Sequence, residues 1–215
     1  MELINLKKHI FFDFNGTIIN DLDLCLDLLN QILKKQNKPT LSMEEYKNVF
    51  TFPIRDYYIA AGVDFNIESY ESLAKWCIKE YQPASMKCGL FEGIVDTFKY
   101  LKDKGYCLYI LSASERNNLL EQCQNYDIVK YFIDILGIDN IHAASKVNIA
   151  IDYMKEHNID GKDVLFIGDT LHDLEVANAM GAECMLVSCG HQSYEVLSKG
   201  NVKIIETIND LKAWC

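Results

Sequence analysis

The apolar positions of the chain recur with two different spacings, which predict two kinds of element. Short apolar runs that stop at Gly, Asp, Asn or Ser are typical of buried strands that end in turns. Such runs lie at residues 10–12, 107–111, 132–136, 164–167, 184–187 and 202–205. Helical patterns separate the later runs, and strands that alternate with helices form parallel sheets. We therefore expect an α/β fold built on a parallel sheet.

The stretch of residues 20–83, between the first and second apolar runs, has the pattern of helices. Apolar residues return every three or four positions from Leu22 to Leu33, with acids early and lysines late, which suits the helix dipole. The first half of this stretch also alternates like a strand, but we predict a helix. Ser42 and Glu45 form a capping box that begins a second helix. Two more helices follow, and Pro83 is expected to end the last one.

These patterns predict one α/β core that is interrupted by a helical insertion. We expect the core to comprise residues 1–16 and 87–215, and the insertion, a small α-helical cap domain, to comprise residues 17–86. Parallel sheets bind ligands at the carboxyl ends of their strands. Because the insertion leaves from the loop after the first strand, it is expected to cover that edge and to exclude water from it.

Composition and charge narrow the classes of function. The chain has 215 residues, 49% of them apolar, and a formal charge of −10, which argues against nucleic acid or an anionic membrane as a partner. The chain has no stretch of about 20 apolar residues, so no membrane span is expected. The first residues lack the pattern of a signal peptide. The eight cysteines form no C-x-x-C pair, which favours reduced thiols. We expect a cytoplasmic protein that is a monomer or a weak dimer.

Polar residues that carry chemistry follow several of the predicted strands. Asp13 ends the first strand, Ser112 the second, and Asp169 and Asp173 follow the strand at 164–167. Asp13 alone fits an ordinary turn as well as an active site. Three carboxylates at one sheet edge would repel one another unless a divalent cation such as Mg²⁺ joined them. Lys146 and a serine hydroxyl beside them suit a phosphoryl group.

The segments at Asp13, Ser112, Lys146 and Asp169 to Asp173 resemble, in order and spacing, the four motifs of the haloacid dehalogenase superfamily. The chain is similar to the branch with a helical cap after the first motif, which includes phosphoglycolate phosphatases and β-phosphoglucomutases. The resemblance extends over the whole chain. It implies a Rossmann-like parallel sheet, a helical cap and a Mg²⁺-dependent phosphatase that acts on a small phosphorylated metabolite.

The resemblance also implies roles for individual residues. Asp13 matches the nucleophile that forms an aspartyl-phosphate, and Lys146 matches the lysine that neutralises charge beside it. Thr17, Ser112 and the adjacent Ala113 are expected to contact the substrate, with the Ser112 hydroxyl on its phosphate group.

The metal ligands implied by the resemblance come from two motifs. They are Asp13, the main-chain carbonyl of Asn15, Asp169 and Asp173. In the cap segment, Arg55 is a candidate for binding a substrate anion, although an exposed helix residue is the more ordinary reading.

Three further residues near the strand ends are expected to have no direct role in the site. Ser114 is predicted to be the N-cap of the next helix. His172 and His191 are expected to be peripheral to the site.

Residue 15 departs from the family pattern, which has an aspartate there as the general acid. Asn15 accepts and donates hydrogen bonds but does not titrate near neutral pH. General acid–base catalysis contributes about 10²–10⁴-fold, so we expect a slow enzyme, least impaired on acyl or aryl phosphates. The alternative is a catalytically degenerate protein that binds metal and phosphate or has a regulatory role. A phosphomutase fits less well, because it must return the phosphoryl group efficiently.

Overall fold

The fold is built on one parallel sheet, seen in a computed structural model whose described residues are 7–138 and 145–214. The strands are β1 (His9–Phe12), β2 (Cys107–Glu115), β3 (Asp134–Ile138), β4 (Val164–Gly168), β5 (Glu183–Val187) and β6 (Lys203–Ile205). Their order across the sheet is β3-β2-β1-β4-β5-β6, and every pair is parallel. The α/β prediction is confirmed, and each predicted apolar run contributes a strand.

Helices connect the strands and cover both faces of the sheet. They are α1 (Leu22–Lys35), α2 (Met43–Val49), α3 (Ile54–Ala60), α4 (Tyr70–Ser85), α5 (Ile94–Asp103), α6 (Arg116–Asn125), α7 (Lys146–Glu156), α8 (Leu171–Met180) and α9 (Tyr194–Leu197). Side chains alternate between the faces, because successive residues of a strand point to opposite sides. In β1, Ile10 and Phe12 pack in one core cluster and Phe11 packs in the other.

The connections place the site at the centre of the sheet. β1 pairs with both β2 and β4, so the chain reverses its direction of travel across the sheet between β1 and β4. Such a switch point opens a crevice at the carboxyl ends of the two strands. Asp13 follows β1 and Asp169 follows β4, so both carboxylates lie at this crevice.

Helices α1 to α4 pack around a third cluster of apolar side chains, which includes Leu29, Tyr46 and Leu73. This cluster is separate from the two that cover the sheet. Ile18 and Ile19 belong to the sheet cluster, although they fall within the predicted insertion. The division into a core and a cap domain stays a prediction, and residues 1–6, 139–144 and 215 of the predicted core lie outside the described residues.

Of two helix boundaries predicted in the helical segment, one agrees with the structure and one does not. The capping box between Ser42 and Glu45 is present at the start of α2. The prediction that Pro83 ends a helix is wrong, because α4 continues through it to Ser85. Proline removes one hydrogen bond to the carbonyl four residues earlier and crowds that carbonyl, and α4 ends two residues after Pro83.

Two global properties complete the description. Within the described residues, none of the helices combines the length and apolarity needed to cross a membrane. The cysteines from Cys25 to Cys189 are all free thiols.

Candidate active site

Asp13 is held at the end of β1 by its backbone and by a lysine. Its N–H donates to the carbonyl of Ile167 at 2.8 Å, which continues the pairing of β1 with β4. Lys146 begins α7, and its ammonium donates to Asp13 Oδ1 and, at 2.7 Å, to Asp173 Oδ1. The side chain of Lys146 is only 3% exposed, so its charge is balanced within the site. The structure places Lys146 beside Asp13, where the resemblance implied it would lie.

The loop after β4 fixes the other two carboxylates. Thr170 is the N-cap of α8, and it forms a capping box with Asp173. Asp173 Oδ2 accepts hydrogen bonds from the Thr170 N–H at 3.0 Å and from its hydroxyl at 2.7 Å. The other oxygen, Oδ1, is thereby turned towards Lys146. The helix cap and the active site therefore use the same carboxylate.

Asp169 is oriented from two directions. Its Oδ1 accepts a hydrogen bond from the Thr17 hydroxyl at 3.0 Å, and its Oδ2 accepts one from the N–H of His191 at 2.6 Å. Thr17 is completely buried and does not line the cavity described below. The structure commits its hydroxyl to Asp169, and its predicted contact with substrate stays a prediction.

The three carboxylates form a compact group that suits a divalent cation. One oxygen from each of Asp13, Asp169 and Asp173 lies within 4.8 Å of the others. Burial raises the pKa of Asp13 to about 8, and the charges of Asp173 and Asp169 add to this against the opposing effect of Lys146. Burial likewise raises the pKa of Asp169 to about 6. Hard oxygen ligands whose charges repel one another match what Mg²⁺ requires.

Gly16 allows the loop after β1 to approach this group. Its φ is +71°, and a Cβ there would lie 2.4 Å from Asp169 Oδ2 and 2.4 Å from a ring carbon of His191. Only glycine fits both the backbone conformation and the space.

A cavity of about 420 Å³ opens beside the carboxylates, between the strand ends and helices α1 to α4. Asp13, Asn15, Lys146 and Asp173 line its floor, together with Ser112 and Ala113. Ser112 is 1% exposed, and its Oγ accepts a hydrogen bond from the Ser114 N–H at 3.1 Å. Ser112 and Ala113, both predicted to contact substrate, are therefore at the cavity.

Arg55 is not brought to the cavity, which corrects its assignment as a substrate-binding residue. It is an exposed residue of α3, and its guanidinium lies 5.2 Å from the ring centre of Phe65. Its neighbour Ile54 lines the cavity, as do Tyr57 and Tyr58. Arg55 thus lies on a different side of α3 from the side chains that line the cavity.

The amide of Asn15 is fixed by three partners. Its Nδ2 donates to Asp21 Oδ2 at 3.0 Å and to the hydroxyl oxygen of Tyr81, and its Oδ1 accepts from the Ser114 hydroxyl at 3.0 Å. The prediction that Ser114 is an N-cap is wrong, since Glu115 caps α6. Ser114 instead orients Asn15.

Asp21 is a residue of the site that the sequence pattern did not reveal. It is 1% exposed and lines the cavity. Besides the amide of Asn15, it accepts hydrogen bonds from the Gly16 N–H at 2.9 Å and the Tyr81 hydroxyl at 2.6 Å. In the sequence it resembles an ordinary acidic residue at a helix start. Its distance of six residues from Asn15 gives no sign that the two side chains meet.

The prediction that His191 is peripheral is wrong. Its Nε2 lies 3.3 Å from Asp21 Oδ1, and its Nδ1 lies 2.7 Å from the Tyr46 hydroxyl. Burial opposes a charge on this imidazole, but Asp21, with help from Asp169 and Asp13, raises the pKa of His191 to about 9. His172 also lines the cavity, and its ring stacks on Phe52 with the ring centres 4.7 Å apart.

Comparisons with known proteins agree with this architecture. The family model described as "Haloacid dehalogenase-like hydrolase" matches residues 10–187. A phosphoglycolate phosphatase from Pseudomonas aeruginosa is 21% identical over 214 residues, covering 96% of this chain and 79% of that protein. One from Vibrio parahaemolyticus is 21% identical over 212 residues, covering 90% and 89%. A hydrolase structure from Streptococcus pneumoniae superposes with a TM-score of 0.82 at 19% identity, covering 98% and 99%.

Proposed function

The chain belongs to the haloacid dehalogenase-like hydrolases, and from this membership we propose that it is a Mg²⁺-dependent phosphatase whose nucleophile is Asp13. One observation carries the proposal. The carboxylate of Asp13 lies on the floor of the cavity, paired with Lys146 and within 4.8 Å of two further carboxylates. Charge balance of this kind lets an anionic nucleophile approach an anionic phosphoryl group.

The first step transfers the phosphoryl group to Asp13. A carboxylate oxygen forms a bond to phosphorus while the bond from phosphorus to the substrate oxygen breaks. Lys146 balances the negative charge of Asp13, and the Ser112 hydroxyl donates a hydrogen bond to a phosphate oxygen. The leaving oxygen departs with its electron pair, since the amide of Asn15 has no acidic proton to give it.

The second step returns Asp13 to its starting state. A water molecule attacks phosphorus, the bond to the carboxylate oxygen breaks, and inorganic phosphate leaves. Family members with an aspartate at position 15 have a base there to remove the water proton. Asn15 cannot accept that proton, so we expect the aspartyl-phosphate to persist longer in this protein.

Asp13, Asp169 and Asp173 are the residues that would hold the cation, with the carbonyl of Asn15 as a further proposed ligand. The fit rests on the clustered carboxylate oxygens and on the raised pKa values of Asp13 and Asp169, which reflect burial first and the repulsion of the neighbouring carboxylates second. A bound Mg²⁺ supplies electrostatic stabilisation of the phosphoryl oxygens.

The test is hydrolysis of an aryl phosphate with Mg²⁺, followed by release of the phenolate. Asp13→Asn is expected to lower kcat by at least about 10³-fold, because the amide is not a nucleophile. Asp96→Asn serves as the matched control, since the Asp96 side chain is 71% exposed and pairs only with Lys99 among the contacts seen. Equal loss in both variants, or a fully active Asp13→Asn protein, contradicts the proposal.

A further inference from the structure

The wall of the cavity that faces the carboxylates is apolar and largely aromatic. It comes from helices α2 to α4 and the loop between α2 and α3. It includes Phe50, Phe52, Ile54, Tyr57, Tyr70 and Ile78. The rings are held against one another: Phe50 and Tyr57 have centres 4.9 Å apart, and Phe50 and Phe52 have centres 5.8 Å apart. Such a wall favours the flat, apolar part of a ligand.

Within the part of the chain that the structure describes, the same cavity offers no free cation to a substrate. Among the described residues that line it, Lys146 is the only lysine or arginine, and its ammonium already serves Asp13 and Asp173. The two histidines that line the cavity are likewise engaged: His191 by Asp21 and Tyr46, and His172 by Glu175, whose Oε2 lies 3.1 Å from its Nδ1. A carboxylate on the organic part of the substrate would be desolvated without a partner, at a considerable cost in free energy.

Acidic side chains in the lining strengthen this selection. Asp21 and Glu115 line the cavity in addition to Asp13 and Asp173, two of the three carboxylates of the proposed metal site. Like charges brought together across a binding site disfavour the wrong ligand and so contribute to specificity.

Asn15 gives a separate argument about the basicity of the leaving group. Its amide is fixed by Asp21, Tyr81 and Ser114, and it has no acidic proton. A leaving group is then favoured when its oxygen is stable as an anion without protonation. Phenolates meet this condition far better than alkoxides do, because the pKa of a phenol is about 10.

From these observations we infer that the substrate is the phosphate monoester of an uncharged phenol, with its ring against the wall formed by Phe50, Phe52 and Tyr57. This inference rests on the proposed phosphatase activity and names the class of substrate for the same site. It sets the chain apart from relatives named for phosphoglycolate, whose organic part is itself a carboxylate.

The inference is tested with three esters in the presence of Mg²⁺. Phenyl phosphate and 3-carboxyphenyl phosphate have similar leaving groups and differ in charge. Benzyl phosphate keeps the ring but has an alkoxide leaving group. We expect kcat/KM for phenyl phosphate to exceed that for 3-carboxyphenyl phosphate by at least about tenfold, and that for benzyl phosphate by about 10²-fold or more. A 3-carboxyphenyl or benzyl ester that is hydrolysed as well as phenyl phosphate overturns the inference.

A pair of variants moves a charge into the wall. Ile78 lines the cavity and Ile59 does not, although both are exposed isoleucines of the helical segment, at 61% and 50%. Ile78→Arg is expected to raise kcat/KM for the carboxylated ester relative to phenyl phosphate by about fivefold or more. Ile59→Arg is expected to leave that ratio unchanged. A shift of equal size in both variants contradicts the placement of the ring beside this wall.

Acetyl phosphate separates failure of the inference from failure of the proposed function. It has a good leaving group and no ring. If acetyl phosphate is hydrolysed by the wild type and not by Asp13→Asn, while phenyl phosphate is untouched, the phosphatase proposal stands and the aryl substrate is wrong. If none of the esters nor acetyl phosphate is hydrolysed, the proposed function itself fails.

Discussion

Asn15 and Asp21 lie together at the place where the resemblance to the family implies an aspartate. The negative charge lies six residues further along the chain, and Asn15 donates to it at 3.0 Å. A carboxylate at position 15 would face Asp21 at that distance, and two carboxylates so close cannot both be ionised without a large penalty. The amide at position 15 is therefore matched to its neighbour.

This pairing predicts how the missing acid can be restored. Asn15→Asp alone is expected to change kcat by less than about threefold, because the proton is held between residues 15 and 21 and is not presented to the leaving oxygen. Asn15→Asp combined with Asp21→Asn restores an amide–carboxylate pair in the opposite order. The double variant is expected to hydrolyse alkyl phosphates at least about tenfold faster than the wild type.

The measurement is a double-mutant cycle on kcat with an alkyl and an aryl phosphate. Asp21→Asn alone is the remaining corner, and it should gain nothing. If Asn15→Asp alone produces the full gain, Asp21 does not constrain residue 15.

Some of these site residues could be predicted from the sequence and others could not, for a physical reason. Asp13 and Ser112 stand directly after apolar runs, and Asp169 and Asp173 follow in the loop and first helical turn after the run at 164–167, so the carboxyl ends of parallel strands bring them together. Asp21 and His191 have no such position. They meet through the packing of the helical segment on the sheet edge, which is a tertiary property that no local spacing encodes.

At the scale of elements, the strands were predictable because buried parallel strands are short, apolar and ended by turn residues. The end of β2 was not. The apolar run stops at Leu111, but the strand continues to Glu115 after a shift of register against β3. Polar residues at the edge of the site, Ser112 among them, belong to the strand although their composition is that of a loop.

The loop after β1 provides a test at this scale. Gly16→Ala is expected to lower activity and Mg²⁺ affinity by about 10–100-fold, because its methyl group would displace Asp169. Gly105→Ala is the matched control: its φ is +88°, yet a Cβ there meets nothing within 4 Å. Both variants carry about 1–2 kcal/mol of backbone strain.

Calorimetric unfolding and Mg²⁺ titration of both proteins separate strain from the effect on the site. Similar losses of stability with a loss of Mg²⁺ affinity in Gly16→Ala alone support the assignment. Equal Mg²⁺ affinity in the two variants contradicts it.

For the molecule as a whole, the site makes stability depend on pH and metal. In the metal-free protein the pKa values of Asp13, Asp169 and His191 are raised, to about 8, 6 and 9. A raised pKa means that the folded state binds more protons than the unfolded state, so stability falls as pH rises through the folded-state value. The lowered pKa of Asp21 acts in the opposite sense, but only below its ordinary value of 3.8.

We therefore expect the Tm of the protein in chelator to fall by at least about 3 °C between pH 5.5 and pH 8. Excess Mg²⁺ should reduce that fall, since it binds the ionised carboxylates and stabilises the folded state more strongly at pH 8. Thermal unfolding at the two pH values, with and without Mg²⁺, is the measurement. Parallel pH dependences in chelator and in Mg²⁺ would mean that the carboxylates are not the metal site.

The central claim is that Asp13 carries the phosphoryl group, and chemical trapping tests it most directly. The protein is mixed with phenyl phosphate or acetyl phosphate and Mg²⁺, quenched in acid, reduced with borohydride and mapped by peptide mass spectrometry. An aspartyl-phosphate is reduced to homoserine, whereas a free carboxylate is not. We predict homoserine at position 13 only when substrate and Mg²⁺ are both present. Turnover with Asp13 unmodified at every quench time, or homoserine at another aspartate, would contradict the account.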